Sequence, residues 1–246
     1  MDQGLLASFA TIERTHWWFT ARREILQSVT ERYVRDGGRI LDVGCGTGYF
    51  IESLRDRYEV HGVDPSPIAV RLCRERGLDQ VRLGSAYQLE RCDDRGFDAV
   101  YFLDVIEHLD DDVLALREAI RVLEPGGVVV VTVPAFMFLW SDHDVVNEHR
   151  RRYRRSQLEK VLRSVGLTVE RLTYFNFYLF SLATMERVTS RVTRRRSSKE
   201  LTMPPALINR LMGETFRLER ERVADAKALP FPFGLSLLAV GRKAAS

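Results

Sequence analysis

The sequence has little that would mark a disulfide-bonded, secreted or membrane-spanning protein. Its three cysteines, Cys45, Cys73 and Cys92, are too few and too scattered for a disulfide framework, and no C-x-x-C pair predicts structural zinc. The N-terminus lacks the basic start and unbroken apolar run of a signal peptide. The longest apolar run, 128–140, contains a threonine and a proline and is shorter than the roughly 20 residues of a spanning helix. We therefore expect a protein of the reducing cytoplasm.

An excess of one charge is also absent overall, but the net charge of +3 conceals a division along the chain. Residues 1–149 include sixteen basic and twenty-six acidic side chains, whereas residues 150–246 include twenty-one basic and eight acidic ones. A basic second part predicts contact with a polyanion, either nucleic acid, a phosphorylated substrate or an anionic membrane. A solvated arginine-rich surface would account for the same counts.

The remaining pattern is that of one α/β domain. Hydrophobic residues make up 45% and charged residues 29% of 246 residues, as in globular proteins. Short apolar runs alternate with helical periodicity, and the runs at 97–103 and 128–133 are nearly uninterrupted, as in parallel strands covered on both faces. We predict an α/β fold with a doubly wound, mostly parallel, seven-stranded sheet. A helical cap at 1–38 precedes the core at 39–176 and 230–246, and a helical insertion occupies 177–229.

The strongest motif is a glycine-rich turn after the first predicted strand. Gly44, Gly46 and Gly48 follow Ile40-Leu41-Asp42-Val43, and glycines let the backbone turn tightly and approach a ligand closely. The spacing G-x-G-x-G differs from the dinucleotide fingerprint, which would require glycine where this chain has Tyr49.

Two carboxylates lie at the ends of the first two predicted strands. Asp64, about 20 residues after the turn, could accept hydrogen bonds from both hydroxyls of a ribose. Asp42 would lie near the ammonium group of an amino-acid ligand, and a turn-forming role is the alternative.

Taken in order, these motifs make the sequence resemble the class I S-adenosylmethionine-dependent methyltransferases over about residues 39–175 and the last strand. The shared positions are the glycine turn, Asp64, Gly84-Ser85-Ala86, Phe97-Asp98-Ala99-Val100-Tyr101-Phe102-Leu103-Asp104-Val105-Ile106-Glu107-His108 and Leu123-Glu124-Pro125-Gly126-Gly127. The resemblance implies S-adenosylmethionine as cofactor and S-adenosylhomocysteine as product. It places Ser85 and Ala86 at the adenine, where the family often has aspartate instead of Ser85, and Asp104 and Val105 at the methionine side. The full set of implied cofactor residues in the core is Asp42, Gly44, Cys45, Gly46, Gly48, Asp64, Pro65, Ser85, Ala86, Asp104 and Val105.

A second block, E-x-x-H-W-W-F-x-x-R-R at 13–23, resembles a subgroup of these enzymes associated with cell-envelope glycan and lipid pathways. Adjacent tryptophans cannot share one helical face, so one could pack on the core while the other, Trp18, covers the cofactor cleft. Arg22 could meet the cofactor's carboxylate. Ordinary core packing and surface ion pairs are the alternatives.

A third block at 140–155 follows a central strand and concentrates histidines, carboxylates and arginines. His143 or His149 could act as general base, oriented by Asp142 or Asp144, and His108 is a rival base. The residues assigned to substrate binding, including arginines that would grip a phosphate, are Trp140, Asp142, Arg150, Arg151, Arg152 and Tyr153. An exposed salt-bridged loop is the alternative, and we predict no metal site because the ligand pattern is loose.

The insertion at 177–229 has apolar residues at helical spacing and arginines on its other faces. A basic amphipathic helix at 177–196 could lie on an anionic membrane, at the inner face, and a second apolar set extends from Leu207 to Leu218. Alternatively, both helices pack on the domain and cover the cleft.

Together these features predict a cytoplasmic methyltransferase acting on the oxygen of a glycan or lipid-linked, phosphate-bearing acceptor by an SN2-like transfer. Two alternatives stay open: an RNA methyltransferase, weakened because only Tyr153 offers an aromatic platform inside the arginine run, and a membrane-recruited protein that binds the cofactor without catalysis. The sequence does not predict the oligomeric state.

Overall fold

The computed structural model describes residues 3–89, 96–182, 184–185 and 203–245. Its strands are β1 (Arg39–Val43), β2 (Glu59–Asp64), β3 (Val81–Leu83), β4 (Phe97–Leu103), β5 (Leu123–Pro134), β6 (Thr168–Phe175) and β7 (Ser236–Arg242). They form one sheet in the order β3-β2-β1-β4-β5-β7-β6. Strand β7 is antiparallel to β5 and β6, and the other pairs are parallel. The predicted α/β class and mostly parallel seven-stranded sheet are confirmed.

Helices cover the sheet and precede it. They are α1 (Gln3–Ile12), α2 (Trp17–Tyr33), α3 (Tyr49–Glu52), α4 (Pro67–Glu75), α5 (Asp112–Val122), α6 (Asp142–Val146), α7 (Arg155–Ser164), α8 (Ala206–Arg217) and α9 (Arg220–Ala224). The apolar side chains of β4 and β5 are almost all buried, as their uninterrupted pattern predicted. Among the described residues, no helix is both long and apolar enough to cross a bilayer.

The N-terminal cap consists of two helices where the periodicity suggested one continuous pattern. The break falls at residues 13–16, where His16 adopts an extended backbone and its Nδ1 accepts a hydrogen bond from the Trp18 N–H at 3.2 Å. A side chain that accepts at this position caps a new helix, because the first N–H groups of a helix have no partner within it. The turn therefore brings Glu13 next to the glycine-rich turn.

Other bounds differ from the prediction for local reasons. The helix after the glycine-rich turn, α3, is only four residues long and ends at Glu52, because the chain turns back toward β2 and the Ser53 hydroxyl donates to the Phe50 carbonyl at 2.6 Å. Strand β5 begins at Leu123 instead of 128, because Leu123 already pairs with Phe97 before the register shifts.

The described part of the insertion packs on the cap. The rings of Trp17 in α2 and Phe216 in α8 lie 6.0 Å apart, and the Arg217 guanidinium contacts Glu24 at 2.8 Å. Most of the predicted helix at 177–196, including all of its arginines, lies outside the described residues, as does Cys92.

Candidate active site

The glycine-rich turn has the backbone that its sequence predicted. Gly44, Gly46 and Gly48 have φ angles of 75°, 55° and 77°, a region that other L-residues rarely adopt. A Cβ on Gly44 would lie 2.6 Å from Val105 Cγ2, and one on Gly48 would lie 2.6 Å from Leu78 Cδ1. Both sterics and φ therefore require glycine at 44 and 48.

Asp64 binds the turn itself. Its Oδ2 accepts from the Gly46 N–H at 2.9 Å and its Oδ1 from the Ser66 N–H at 2.8 Å. Burial raises the pKa of Asp64, and these two hydrogen bonds oppose the rise. The carboxylate thus supports the turn and still lies at the end of β2, where the sequence predicted a ribose contact; Pro65 beside it is exposed.

Glu13 joins the N-terminal cap to this turn, a role that the sequence did not reveal. Its buried carboxylate accepts from Thr47 Oγ1 at 2.6 Å and forms an ion pair with Arg76. Arg76 also contacts Glu52 at 3.0 Å, and Glu52 contacts Arg14 at 2.7 Å. An acidic residue three positions before a helix-capping histidine was the available signal, but its partners lie 34 and 63 residues away.

A cavity of about 590 Å³ lies above the carboxyl ends of β1 and β4, between the cap and the insertion. Of the residues assigned from sequence, those in its wall are Trp18, Arg22, Asp42, Gly44, Cys45, Gly46, Asp104, His108, His143, His149 and Arg152. The described wall does not include Gly48, Asp64, Pro65, Ser85, Ala86, Val105, Trp140, Asp142, Arg150, Arg151 or Tyr153. Val105 lies beneath Gly44, and Ser85 makes a turn in which its Oγ accepts from the Tyr87 N–H.

Asp42 lies in this wall with one carboxylate oxygen unpaired among the described residues. It is buried at the end of β1, and its Oδ1 has no hydrogen bond among the described residues. Burial raises the pKa of Asp42 to about 8, with the Arg22 charge opposing the rise. A buried carboxyl group without a partner is costly, and a ligand ammonium would relieve that cost. The wall therefore fits the amino-acid end of S-adenosylmethionine, and the glycine turn leaves space for close approach.

Arg22 does not extend freely toward a ligand carboxylate. Its guanidinium donates to Asp104 Oδ2 and Thr132 Oγ1, both at 2.8 Å, and stacks over Trp18 at 5.0 Å. Asp104 has a φ of 58°, which turns the chain as it leaves β4. Arg22 thus holds Asp104 and Trp18 in the cavity wall, and its contact with the cofactor's carboxylate stays a prediction.

One part of the cavity wall, formed by His143, Asn147, His149 and Arg152, contains a hydrogen-bonded histidine, and we call it the histidine end. His149 Nδ1 is 2.9 Å from Asp144 Oδ1, and Asp144 also accepts from Arg152 Nε at 2.7 Å and Arg152 Nη2 at 2.9 Å. Burial opposes ionisation of Asp144, but the hydrogen bonds from His149 and Arg152 keep the pKa of Asp144 well below its usual range. Because an ionised carboxylate only accepts, Nδ1 donates to Asp144, which leaves Nε2 as the ring nitrogen that can accept a proton.

The other two candidate bases are less well arranged. The His108 ring lies 4.8 Å from that of His149, and burial followed by the His149 charge lowers the pKa of His108. His143 is exposed and contacts Asn147 of its own helix turn.

Glu107 also lines this end and was not assigned from sequence. Its side chain is fully buried and both carboxylate oxygens lack a hydrogen-bond partner among the described residues. Burial, followed by the charge of Asp104, raises the pKa of Glu107 well above its usual value. Ligand atoms of Glu107, His108 and His149 lie within 4.8 Å of one another, which is close enough to share a cation.

The arginines assigned to a phosphate contact bind groups of the chain itself, and the phosphate contact stays a prediction. Arg150 pairs with Asp110, and Arg151 donates to the Leu109 carbonyl at 2.7 Å and contacts Asp112 at 3.5 Å. Arg152 is buried on Asp144 and the Ala135 carbonyl. Each guanidinium is therefore occupied by acidic or carbonyl groups of the chain itself.

Neighbouring residues confirm that this block supports the fold. Tyr153 donates to Asp112 Oδ2 at 2.7 Å, Asp142 is exposed, and Trp140 is half-buried outside the cavity wall. Their assignment to substrate binding has no support in the wall of this cavity.

Comparison with known proteins places this geometry in a family. A methyltransferase domain model matches residues 17–172. A ubiquinone biosynthesis O-methyltransferase of Alkalilimnicola ehrlichii is 37% identical over 101 residues, which cover 39% of this chain and 41% of that protein. A protein of Mycolicibacterium smegmatis named "Probable S-adenosylmethionine-dependent methyltransferase" is 31% identical over 63% of this chain and 61% of its own length. The chain thus matches about two fifths to three fifths of these curated relatives.

Solved structures share the fold over most of the chain. A SAM-dependent methyltransferase from Thermotoga maritima has a TM-score of 0.59 at 21% identity, covering 98% of this chain and 100% of that one. Phosphoethanolamine N-methyltransferase 2 of Haemonchus contortus, solved in complex with S-adenosyl-L-methionine, has a TM-score of 0.57 at 19% identity, covering 89% of this chain and 52% of that one. The chain belongs to the methyltransferase domain family and shares the fold of these solved methyltransferase structures.

Proposed function

We propose that this methyltransferase methylates a hydroxyl oxygen of a lipid-linked acceptor, with His149 as the general base. The observation that carries the proposal is the His149–Asp144–Arg152 arrangement in the cavity wall. A hydroxyl group must lose its proton as its oxygen is methylated, and a neutral imidazole is suited to take it. The curated relatives named as O-methyltransferases support oxygen as the acceptor atom.

The work of the chain is positioning and proton transfer. When bound, S-adenosylmethionine supplies a methyl group on a sulfonium, which is already a leaving group. Asp144 fixes the tautomer of His149, and Arg152 fixes Asp144, so that Nε2 can accept the hydroxyl proton while the oxygen forms its bond to the methyl carbon. The two carboxyl oxygens of Glu107, which have no hydrogen-bond partner among the described residues, offer the acceptor molecule a second polar contact.

The apolar part of the wall supports an acceptor with a lipid chain. Between the insertion and the cap, the cavity is lined by apolar and aromatic side chains: Leu6, Phe9, Trp17, Phe19, Leu179, Leu182 and Met212. A pocket of this composition, with a few polar groups at one end, suits an apolar body with a polar reacting head. Arg150–Arg152 are paired within the chain, and the proposal therefore does not include a phosphate on the acceptor. The same pairing weakens the RNA alternative, because these cations already have partners other than an RNA phosphate backbone.

The test is product analysis with a deuterated methyl donor. We expect the wild type to transfer the label to an oxygen of a component in an organic-solvent extract of the source cells, and His149→Ala to lose about 10²–10⁴-fold in turnover. S-adenosylhomocysteine binding, measured by calorimetry, should be unchanged in that variant.

His61→Ala is the matched control, because His61 pairs with Glu59 on β2 outside the cavity wall. Label found on nitrogen or carbon, or full turnover by His149→Ala, would contradict the proposal.

A further inference from the structure

Helix α8 has one face that packs on the domain. The Asn209 side chain accepts from the Trp17 N–H at 2.9 Å and donates to the Thr15 carbonyl at 2.8 Å. Gly213 and Phe216 are buried on the same side, and the Phe216 ring lies against Trp17 and Phe175. These contacts fix the orientation of the helix on α2.

The opposite face of α8 is apolar and exposed. Leu207, Ile208 and Leu211 expose 68%, 48% and 58% of their surface, and we call these three residues the outer face of α8. Their spacing places them together on one side of a helix whose other side is already packed. A cluster of exposed leucine and isoleucine on an ordered helix indicates a surface that is covered by something.

This surface leads to the cavity. Leu182 is 58% exposed and also lines the cavity, so the cavity reaches the molecular surface there. Met212, which follows Leu211 in α8, also lines the cavity. Met185 and Met203, at the two described ends of the neighbouring chain, are exposed as well. The opening of the cavity is thus bordered by apolar side chains.

The charge around these residues favours an anionic lipid surface over another occupant. Arg210 is exposed between Ile208 and Leu211. The sequence that joins Met185 to Met203, residues 186–202, contains six basic and two acidic residues. Apolar side chains flanked by arginine and lysine are the pattern of helices that lie in the headgroup region of anionic membranes.

We infer that the outer face of α8 docks this enzyme on an anionic bilayer, with Leu207, Ile208 and Leu211 entering the headgroup boundary and Arg210 contacting lipid phosphates. The opening at Leu182 then lies at the membrane surface, where an amphiphilic molecule could reach the cavity without crossing water. The docking goes beyond the proposed function and does not depend on which atom is methylated.

Vesicle flotation of the full chain tests the docking. The probes are vesicles of phosphatidylcholine alone and vesicles containing about one third phosphatidylglycerol. We expect the wild type to bind the anionic vesicles, with an affinity that falls as salt rises. Leu207→Glu combined with Leu211→Glu should weaken this binding by at least about tenfold, since two apolar anchors are lost and two negative charges are added.

Leu114→Glu is the matched control, because Leu114 is also an exposed leucine but lies on α5, which packs against α7. It should bind vesicles like the wild type. All variants should bind S-adenosylhomocysteine normally, which separates a failure of docking from a loss of fold or cofactor site.

Three outcomes would overturn the inference. The wild type could stay unbound at every lipid composition, or the double variant could bind as well as the wild type. Alternatively, sedimentation velocity could show a dimer that Leu211→Glu dissociates, in which case a second copy covers the outer face.

Discussion

The two ends of the cavity differ in where their polar side chains find partners. At the cofactor end, Asp64 accepts hydrogen bonds from backbone N–H groups of the glycine turn and of its own loop. Asp42 has one carboxylate oxygen without a hydrogen-bond partner among the described residues. At the histidine end, the Asp144 carboxylate accepts hydrogen bonds from His149, Arg152 and the Ser141 N–H. The side chain of buried Glu107 has no hydrogen bond in the described structure. The first end is built from backbone conformation and the second from a side-chain network, so they should fail in different ways when altered.

The largest effect should follow Asp144→Asn, which breaks the network. Removing this charge leaves Arg152 buried without a counter-ion, and a broken buried pair typically costs about 3–5 kcal/mol. Chemical denaturation measures the loss. Asp142→Asn on the same helix is the control, since Asp142 is exposed and its change should cost less than about 0.5 kcal/mol. Equal stability of the two variants would show that the network is not what holds this end together.

A pH-dependent effect should come from Glu219, which holds the start of the insertion. Its buried Oε1 accepts from the N–H groups of Phe177 and Tyr178, and burial raises its pKa to about 7. The pKa of Glu219 in the folded state is above its unfolded value of about 4.3. The stability associated with the protonated carboxyl group is therefore fully present below pH 4.3 and is lost as pH rises through 7. The wild type should lose about 3 kcal/mol across this window relative to Glu219→Gln.

Denaturation midpoints between pH 4 and 8 measure this difference. Glu221→Gln, a nearby exposed glutamate, should follow the wild-type pH profile. Parallel profiles for the wild type and Glu219→Gln would contradict the assignment.

The cofactor end should fail through its backbone. Gly48→Ala places a Cβ 2.6 Å from Leu78 Cδ1 and 2.8 Å from Cys73 Sγ at a φ of 77°, and we expect about 100-fold weaker S-adenosylhomocysteine binding. Gly126→Ala separates the two causes, because Gly126 has a φ of 79° and open space around its Cβ position. It should lose about 1 kcal/mol of stability and bind normally. Calorimetry on both variants decides whether steric contact or φ strain dominates.

The smallest effect should come from the contact between cap and turn. Thr47→Val keeps the shape of the side chain but removes the hydroxyl that binds Glu13, and we expect S-adenosylhomocysteine affinity to fall about three- to tenfold. Arg14→Ala, which removes an exposed pair with Glu52, should change affinity by less than twofold. If both variants bind like the wild type, the cap does not support the turn.

The comparison also explains which parts of the site could be predicted. The glycine turn, Asp64 and Asp42 were found because each is set by a strand end and a local backbone conformation that the residue types announce. Glu13 and Glu107 were missed, because the residues next to them in sequence do not show their surroundings. Glu13 binds Thr47 and Arg76, and the Glu107 carboxylate has no hydrogen-bond partner among the described residues. The partners of Arg150 and Arg151 could not be predicted, because a run of arginines shows charge but not the acidic and carbonyl groups that come from Leu109, Asp110 and Asp112.

By itself, the sequence determined the strand and helix alternation, the sheet class and the glycine-rich turn, because apolar periodicity and glycine conformation act over a few residues. Tertiary structure alone decided that His149 is hydrogen-bonded to Asp144, which arginines form ion pairs and which face of α8 is exposed. Those properties depend on contacts between segments distant along the chain, and a buried charge is defined only by what surrounds it.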